Sequence, residues 1–279
     1  MVKPAAKREV TEYLIQSYQM SERLACRLMV QSLSTKRYKS RSKILDSELR
    51  TKLIQLAQAN QRFGYRRLRA CLVNQGIMVN HKKIYRLYKE AKLVLRITPS
   101  KKLQKRDRSP MLISSEFNEC WSMDFVSDKL TDNRKIRCLN VIDNYSRYNI
   151  TIEVDSSLRA TAVAALLNKA IAKYGKPKTI IVDNGPEFRS KLLQSWAKDQ
   201  QVRLHFIAPG KPTQNAYIES FNGKFRDECL NQHWFSTINE AKMTINNWRK
   251  NYNVERPHSS LGYLSPKAFI QNNNNKLLY

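Results

Sequence analysis

The sequence predicts a strongly basic, all-helical front third followed by an α/β unit, a mixed five-stranded sheet flanked by helices. Three observations predict it. Apolar residues recur at helical spacing through the first hundred positions. From about residue 117 the pattern changes to strict alternation, which is a strand signature. Further on, short apolar runs alternate with Ala- and Leu-rich helical stretches. The order is three strands, helix, strand, helix, strand, helix. Three antiparallel strands followed by alternating helices and strands make a mixed sheet with helices on both faces.

Each element follows from its residues. Val10, Tyr13, Leu14 and Tyr18 define a helix over 7–18, and Ser21 caps a second through Val30. Residues 31–43, rich in Ser, Thr and Lys/Arg, are expected to be a linker. A third helix is expected at about 46–59, capped near Asp46 or Ser47. Phe63-Gly64-Tyr65 enters a helix running to Val73, Gly76 breaks it, and Asn80 caps another through Glu90. Helix, turn and basic helix make a helix-turn-helix arrangement, with Lys82, Lys83 and Arg86 facing outward. Residues 96–110 read as a tether or a basic arm lying on phosphates. Strands are expected at 120–126, 136–143, 148–154, 179–182 and 202–207. Helices are expected at 158–173, 189–199, 213–227 and 237–250. An irregular stretch follows from Tyr252 to His258, and the Asn run at 272–275 is expected to fray. The segments are an N-terminal helical segment (1–45), a basic helix-turn-helix-like region (46–108), an α/β core (109–228) and a helical tail (229–279).

Composition narrows the partners. The chain of 279 residues is 42% apolar, enough to bury a core, and its formal net charge is +27. Residues 1–108 hold 27 Lys/Arg against 7 Asp/Glu. Such an excess selects a polyanionic partner, nucleic acid first. No run of about 18 apolar residues is present, so no membrane span is expected. The beginning, MVKPAAKREV, carries no hydrophobic signal segment. Five scattered cysteines read as reduced packing residues of a cytoplasmic protein, and four isolated histidines give no zinc-site spacing.

Phosphodiester cleavage needs a nucleophilic oxygen and charge neutralisation at phosphorus, which two divalent metals can supply. Hard cations prefer carboxylate oxygens. Three acids stand where such a site would need them. Asp124 leaves the polar face of the first strand. Asp183 follows the most apolar strand, which is expected to lie beside the first. Glu219 shares a helix face with Asn215, Asn222 and Arg226, opposite Ile218, Phe221 and Phe225. Taken singly, each has a bland reading, as a surface acid, an Asp-Asn-Gly turn and a solvated helix residue. Gly223 costs about 1 kcal/mol in a helix relative to Ala, which a close approach by backbone or ligand would excuse.

WSMDFV around Asp124, IIVDNGPEF around Asp183 and KPTQNAYIESFNGKFRDECL around Glu219 resemble the DDE signature of retroviral integrases and related transposases. Thirty-five residues separate the second and third acids, and Arg226 stands seven positions after Glu219. The wording is similar to OrfB products of the IS three family of bacterial insertion sequences. ACRLM, FGYRRLR, NHKKIYRLY and YNVERPHSSLGYLSP fit that family too, so the match spans roughly residues 3–270. The resemblance implies a ribonuclease H-like integrase catalytic core. It implies a DNA transposase that cleaves and joins strands at insertion-sequence ends by two-metal-ion hydrolysis and transesterification. Asp124, Asp183 and Glu219 would be catalytic and would hold two Mg²⁺ ions, with Mn²⁺ able to substitute. The implied partners are double-stranded DNA at terminal inverted repeats, target DNA, further copies of the chain, and a fused or associated upstream-frame product. The implied setting is the bacterial cytoplasm, at the nucleoid.

Arg66, Arg67, Lys82, Lys83, Arg86, Lys211 and Arg226 are the expected DNA contacts. Asn184, Gly185 and Glu187 are expected to shape the turn after Asp183, with Glu187 a candidate for touching metal or DNA. Asp143 reads as a turn former or a further acid near the metals, and His205 as a packed strand residue. Arg256 and His258 belong to the tail motif without an assigned role. Two other functions fit the same chain: a structure-specific nuclease without strand transfer, and a DNA-binding regulator with an idle core.

Overall fold

The computed structural model describes residues 4–38, 41–95, 114–210 and 212–274, and for residues 41–45, 212 and 274 the backbone alone. The expected basic arm at 96–110 and Lys211 lie outside the described residues. The chain divides into two compact units, Met1–Ile54 and Gln55–Tyr279.

The first unit is helical. It holds α1 (Pro4–Tyr18), α2 (Glu22–Leu28), α3 (Leu33–Arg37) and most of α4 (Arg41–Ala59). Ser21 caps α2 by accepting from the Leu24 amide at 3.3 Å. Within the expected linker over 31–43, residues 33–37 form α3 and α4 starts at Arg41. Ser32 caps α3 by accepting from the Thr35 amide at 3.2 Å. Lys36 then ties α3 back to Glu12 and Glu22 at 3.3 and 3.1 Å. α4 starts at Arg41, so Asp46 and Ser47 lie inside it rather than at its cap.

In the second unit, α5 (Tyr65–Asn74) and α6 (His81–Glu90) pack through Leu68, Leu72, Ile84 and Leu87, all buried. Asn80 caps α6 as expected, accepting from the Lys82 amide at 2.9 Å. The sheet comprises β1 (Cys120–Lys129), β2 (Lys135–Asp143), β3 (Asn149–Asp155), β4 (Thr179–Val182) and β5 (Arg203–Phe206). Its order is β3-β2-β1-β4-β5. β1, β2 and β3 pair antiparallel, while β4 and β5 run parallel to β1.

Two apolar cores sandwich the sheet. Under α7 (Ala160–Tyr174) and α8 (Lys191–Asp199) lie Trp121, Met123, Leu139, Ile180 and Val182. On the other face, Ile218, Phe221 and Phe225 of α9 (Ala216–Glu228), with α10 (Ile238–Val254) beside them, pack on Val126, Ile136 and Cys138. β1 is therefore not the half-buried strand its alternation suggests. Ser122 on the second face is as fully buried as Trp121 on the first. α11 (Pro266–Asn274) closes the described chain, so the Asn run through 274 continues a helix rather than fraying. Cys120, Cys138 and Cys229 are buried and free, their thiols pushed up to about 12, chiefly by burial. No helix among the described residues is long and apolar enough to cross a membrane.

Candidate active site

Two of the three acids leave neighbouring parallel strands. β1 and β4 pair Cys120 with Thr179, Trp121 with Ile180 and Ser122 with Ile181. Continuing that register by two residues sets Asp124 beside Asp183. Alternation puts both on the face of Ser122 and Ile181, the face that α9 covers. β4 is short because Asp183 at once turns the chain: its Oδ1 accepts from the Gly185 amide at 2.9 Å. A Cβ at Gly185 would sit 2.9 Å from that same oxygen. Asn184 secures the turn from outside, donating to the Ile207 carbonyl at 2.8 Å.

α9 lies across β1 and β2. Its Asn222 donates from Nδ2 to Asp124 Oδ2 at 2.8 Å and accepts at Oδ1 from Asn140 Nδ2 at 2.7 Å. Asn140, fully buried on β2, is the cross-strand partner of Asp124. The other carboxylate oxygen, Asp124 Oδ1, accepts from the Phe125 amide at 2.8 Å. Glu219, one turn before Asn222, is exposed on the same flank of the helix. Burial pushes the Asp124 carboxyl up to about 6, and the negative charges of Asp183 and Glu219 push in the same direction. Burial also raises Glu219. All three acids thus act on one locality on the α9 face of the sheet, over the neighbouring strands β1 and β4. Among the described residues, no three His, Cys, Asp or Glu side chains form a ready-made metal cage.

The remaining candidates separate. Asp143 is a turn former. Fully buried, it accepts from the Asn118 amide at 3.0 Å, the Ser146 amide at 2.8 Å and the Ser146 hydroxyl at 2.7 Å. Glu187 is engaged by Arg137, whose guanidinium also lies 4.1 Å from the Phe125 ring centroid. That hydrogen bond holds the Glu187 carboxyl below its usual range. His205 is a half-buried strand residue paired with Ile181.

Of the expected DNA contacts, Arg66, Lys82 and Arg86 are exposed and Lys83 is half-buried. Arg86 pairs with Glu90 at 3.0 Å along the helix. Arg226 is exposed and donates to the Ser127 carbonyl at 3.2 Å, beside the strand that carries Asp124. Arg67, half-buried, turns toward α9 and meets Glu228 at 3.3 Å. Sequence reasoning missed Asn140 and the bond from Asn222 to Asp124. The available signal was Asn140 in an otherwise apolar strand, since a buried amide must find a partner.

Comparison with known proteins agrees with this architecture. Two family models described as "Integrase core domain" match residues 114–212 and 200–266, and one described as "HTH-like domain" matches 45–102. An insertion element IS476 protein of Xanthomonas euvesicatoria is 44% identical over 96% of this chain and 78% of its own. An insertion element IS407 protein of Burkholderia multivorans is 45% identical over 90% of each chain. Transposase InsF for insertion sequence IS3A of Escherichia coli is 27% identical over 79% of this chain and 81% of its own. Among solved structures, the simian T-cell lymphotropic virus intasome in complex with PP2A regulatory subunit B56 gamma shares the fold. Its TM-score is 0.50 at 16% identity, over 72% of this chain and 70% of that one.

Sheet order, flanking helices and these relatives define a DDE transposase/integrase, a polynucleotidyl transferase. The chain belongs to the insertion-sequence transposases of the IS three family, in its OrfB group.

Proposed function

We propose that this transposase cleaves and joins DNA at insertion-sequence ends, with Asp124, Asp183 and Glu219 as its catalytic carboxylates. The observation that carries this reading is the parallel β1–β4 pairing, whose register sets two acids side by side on the sheet face covered by α9, the helix that bears the third. The donor set suits hard divalent cations, since all three side chains offer oxygen and the carboxyls feel one another's charge. Asp124, Asp183 and Glu219 would hold two Mg²⁺ or Mn²⁺ ions, with Glu219 swinging inward from its exposed position. Such ions activate a nucleophilic oxygen and neutralise charge at phosphorus.

The protein's own contribution is positioning. Asn222 and the Phe125 amide fix the Asp124 carboxylate from two sides, and the Gly185 amide fixes Asp183. In the first reaction water attacks a phosphodiester and releases a 3′-hydroxyl. In the second that hydroxyl attacks another strand in line, one P–O bond forming as another breaks.

Double-stranded DNA at the terminal inverted repeats and at the target is the substrate. Arg66, Arg67, Lys82, Lys83, Arg86, Lys211 and Arg226 are its contacts. The front helices, the helix-turn-helix-like region, the core and the tail (1–45, 46–108, 109–228 and 229–279) act as successive functional segments. The protein works as a homo-oligomer on DNA, with a fused or associated upstream-frame product, at the nucleoid in the cytoplasm.

A joining assay with a pre-cleaved terminal end tests the function, because a nuclease without strand transfer yields no joined product. Asp183→Asn should abolish metal-dependent cleavage and joining while sparing DNA binding. Persisting cleavage would exclude this site, and a wild type that binds DNA but neither cuts nor joins would be a regulator.

A further inference from the structure

The tail residue Arg256 plays no part in that chemistry, yet its side chain is only 4% exposed. It donates Nε to Glu228 Oε2 at 2.6 Å and Nη2 to Oε1 at 2.5 Å, and Arg67 reaches the same Oε1 at 3.3 Å. Both oxygens of Glu228 are therefore engaged.

Further cations gather beside this clamp. Lys224, one turn before Glu228 and half-buried, donates to the Ser220 hydroxyl at 2.7 Å. Arg147, from the loop between β2 and β3, lies 3.6 Å above the Tyr217 ring and donates to the Asn144 carbonyl. Among the described residues neither has an acidic ion-pair partner. Burial and then the charges of Arg256, Arg67 and Arg147 lower the Lys224 amine to about 8. Burial and the same cations hold the His258 imidazole neutral. So Arg67 and Arg256 share one carboxylate, and the charges of Lys224 and Arg147 stand close by.

A half-buried ammonium whose neighbouring carboxylate, Glu228, is already claimed by two guanidiniums is under-compensated. A fold that keeps one there is poised to accept an anion, and the low-dielectric walls concentrate the positive field. α9 has two polar flanks. Glu219, Asn222 and Arg226 form one, and Ser220, Lys224 and Glu228 form the other. Gly223 lies between them, exposed, with no atom outside its own stretch of helix within 4 Å of where a Cβ would stand. A phosphodiester fits the second flank, because guanidinium and ammonium groups donate to its free oxygens.

We propose that Lys224, Arg147 and Arg67, braced by the Arg256–Glu228 clamp, form a phosphate seat for the backbone of DNA that crosses α9. It rests on the reading of α9 as the helix that faces substrate. The seat positions DNA and takes no part in bond breaking.

The test uses the full chain carrying Asp183→Asn, so that binding is read without cleavage. Affinity for a random-sequence duplex is measured between 50 and 200 mM salt. Lys224→Gln should reduce the slope of log K against log salt by about 0.9, the loss of one phosphate contact. Lys224→Arg should keep the slope. The DNA-free melting temperature of Lys224→Gln should hold or rise, because like-charge repulsion is relieved. A slope equal to the parent's in a folded Lys224→Gln protein overturns the seat. A fall in its DNA-free melting temperature also overturns it, since Lys224 would then be a structural brace. Arg147→Gln, with its guanidinium on an aromatic face at the rim, reads the same slope independently. Cleavage by the Asp183→Asn parent would refute the catalytic assignment and leave the seat untouched.

Discussion

Asn222 on α9 and Asp124 on β1 are joined by a 2.8 Å hydrogen bond between residues 98 positions apart. The amide is held in turn by buried Asn140, so its orientation is fixed before any ion or substrate arrives. Asn222→Ala should lower cleavage and joining by about 10–100-fold, the usual effect of removing a group that orients a metal ligand. Strand-transfer rates at saturating Mg²⁺, alongside an unchanged circular dichroism spectrum, check this.

The raised Asp124 carboxyl sets a pH dependence. Its folded value is about 6, against 3.8 for a free aspartate, so between these values the folded chain binds more protons than the unfolded one. The stabilising contribution of this group is therefore full below about pH 4 and is lost as pH rises through about 6. In metal-free buffer the melting temperature of the wild type, compared with Asp124→Asn, should fall across that window. Parallel melting curves for the two proteins would refute it.

Gly185→Ala brings a methyl to 2.9 Å from Asp183 Oδ1. The carboxylate must move or give up the Gly185 amide. A displacement of about 1 Å at such a group costs on the order of 100-fold in rate. Single-turnover cleavage by the variant should show that loss, with DNA affinity unchanged.

Gly223→Ala has effects of opposite sign. Nothing crowds the position, so the variant should gain about 1 kcal/mol of helix stability, visible in denaturant unfolding. On the proposed reading joining should drop, because the methyl would stand on the ridge between two flanks turned to DNA. A variant both more stable and fully active would show that DNA keeps clear of this ridge.

Glu228→Gln strips the buried Arg256 guanidinium of its counter-charge. Breaking a buried pair from one side typically costs about 3–5 kcal/mol. Urea unfolding should register a loss of that order, larger than for Glu90→Gln, whose pairing with Arg86 lies on the surface.

Much of this site is legible in the sequence because local pattern and function coincide there. Thr179–Val182 reads as a central strand from four residues alone, and the Asp after it must stand at the strand's end. Spacing along α9 places Glu219, Asn222 and Arg226 on one flank before any coordinates are considered. Contacts across long separations are not legible. Alternation marks Ser122 and Asp124 as the wet side of β1, because periodicity reports two faces but not whether a helix covers the second. The stretch from Tyr252 to His258 looks irregular for a similar reason, yet it begins as the last turn of α10, through Val254. Its order comes from Glu228 and from ring contacts such as Tyr252 against His258, at 4.9 Å between centroids. Residues 31–43 mislead in the opposite direction. A serine cap and two ion pairs to neighbouring helices give α3 a helical form that its polar composition does not suggest.

The register between β1 and β4 also bears on how the enzyme comes of age during synthesis. Only three residue pairs join these strands, and they can form only after β2, β3 and α7 have left the ribosome. Glu219 emerges later still. A product truncated before α9 therefore retains α5 and α6 but is catalytically mute.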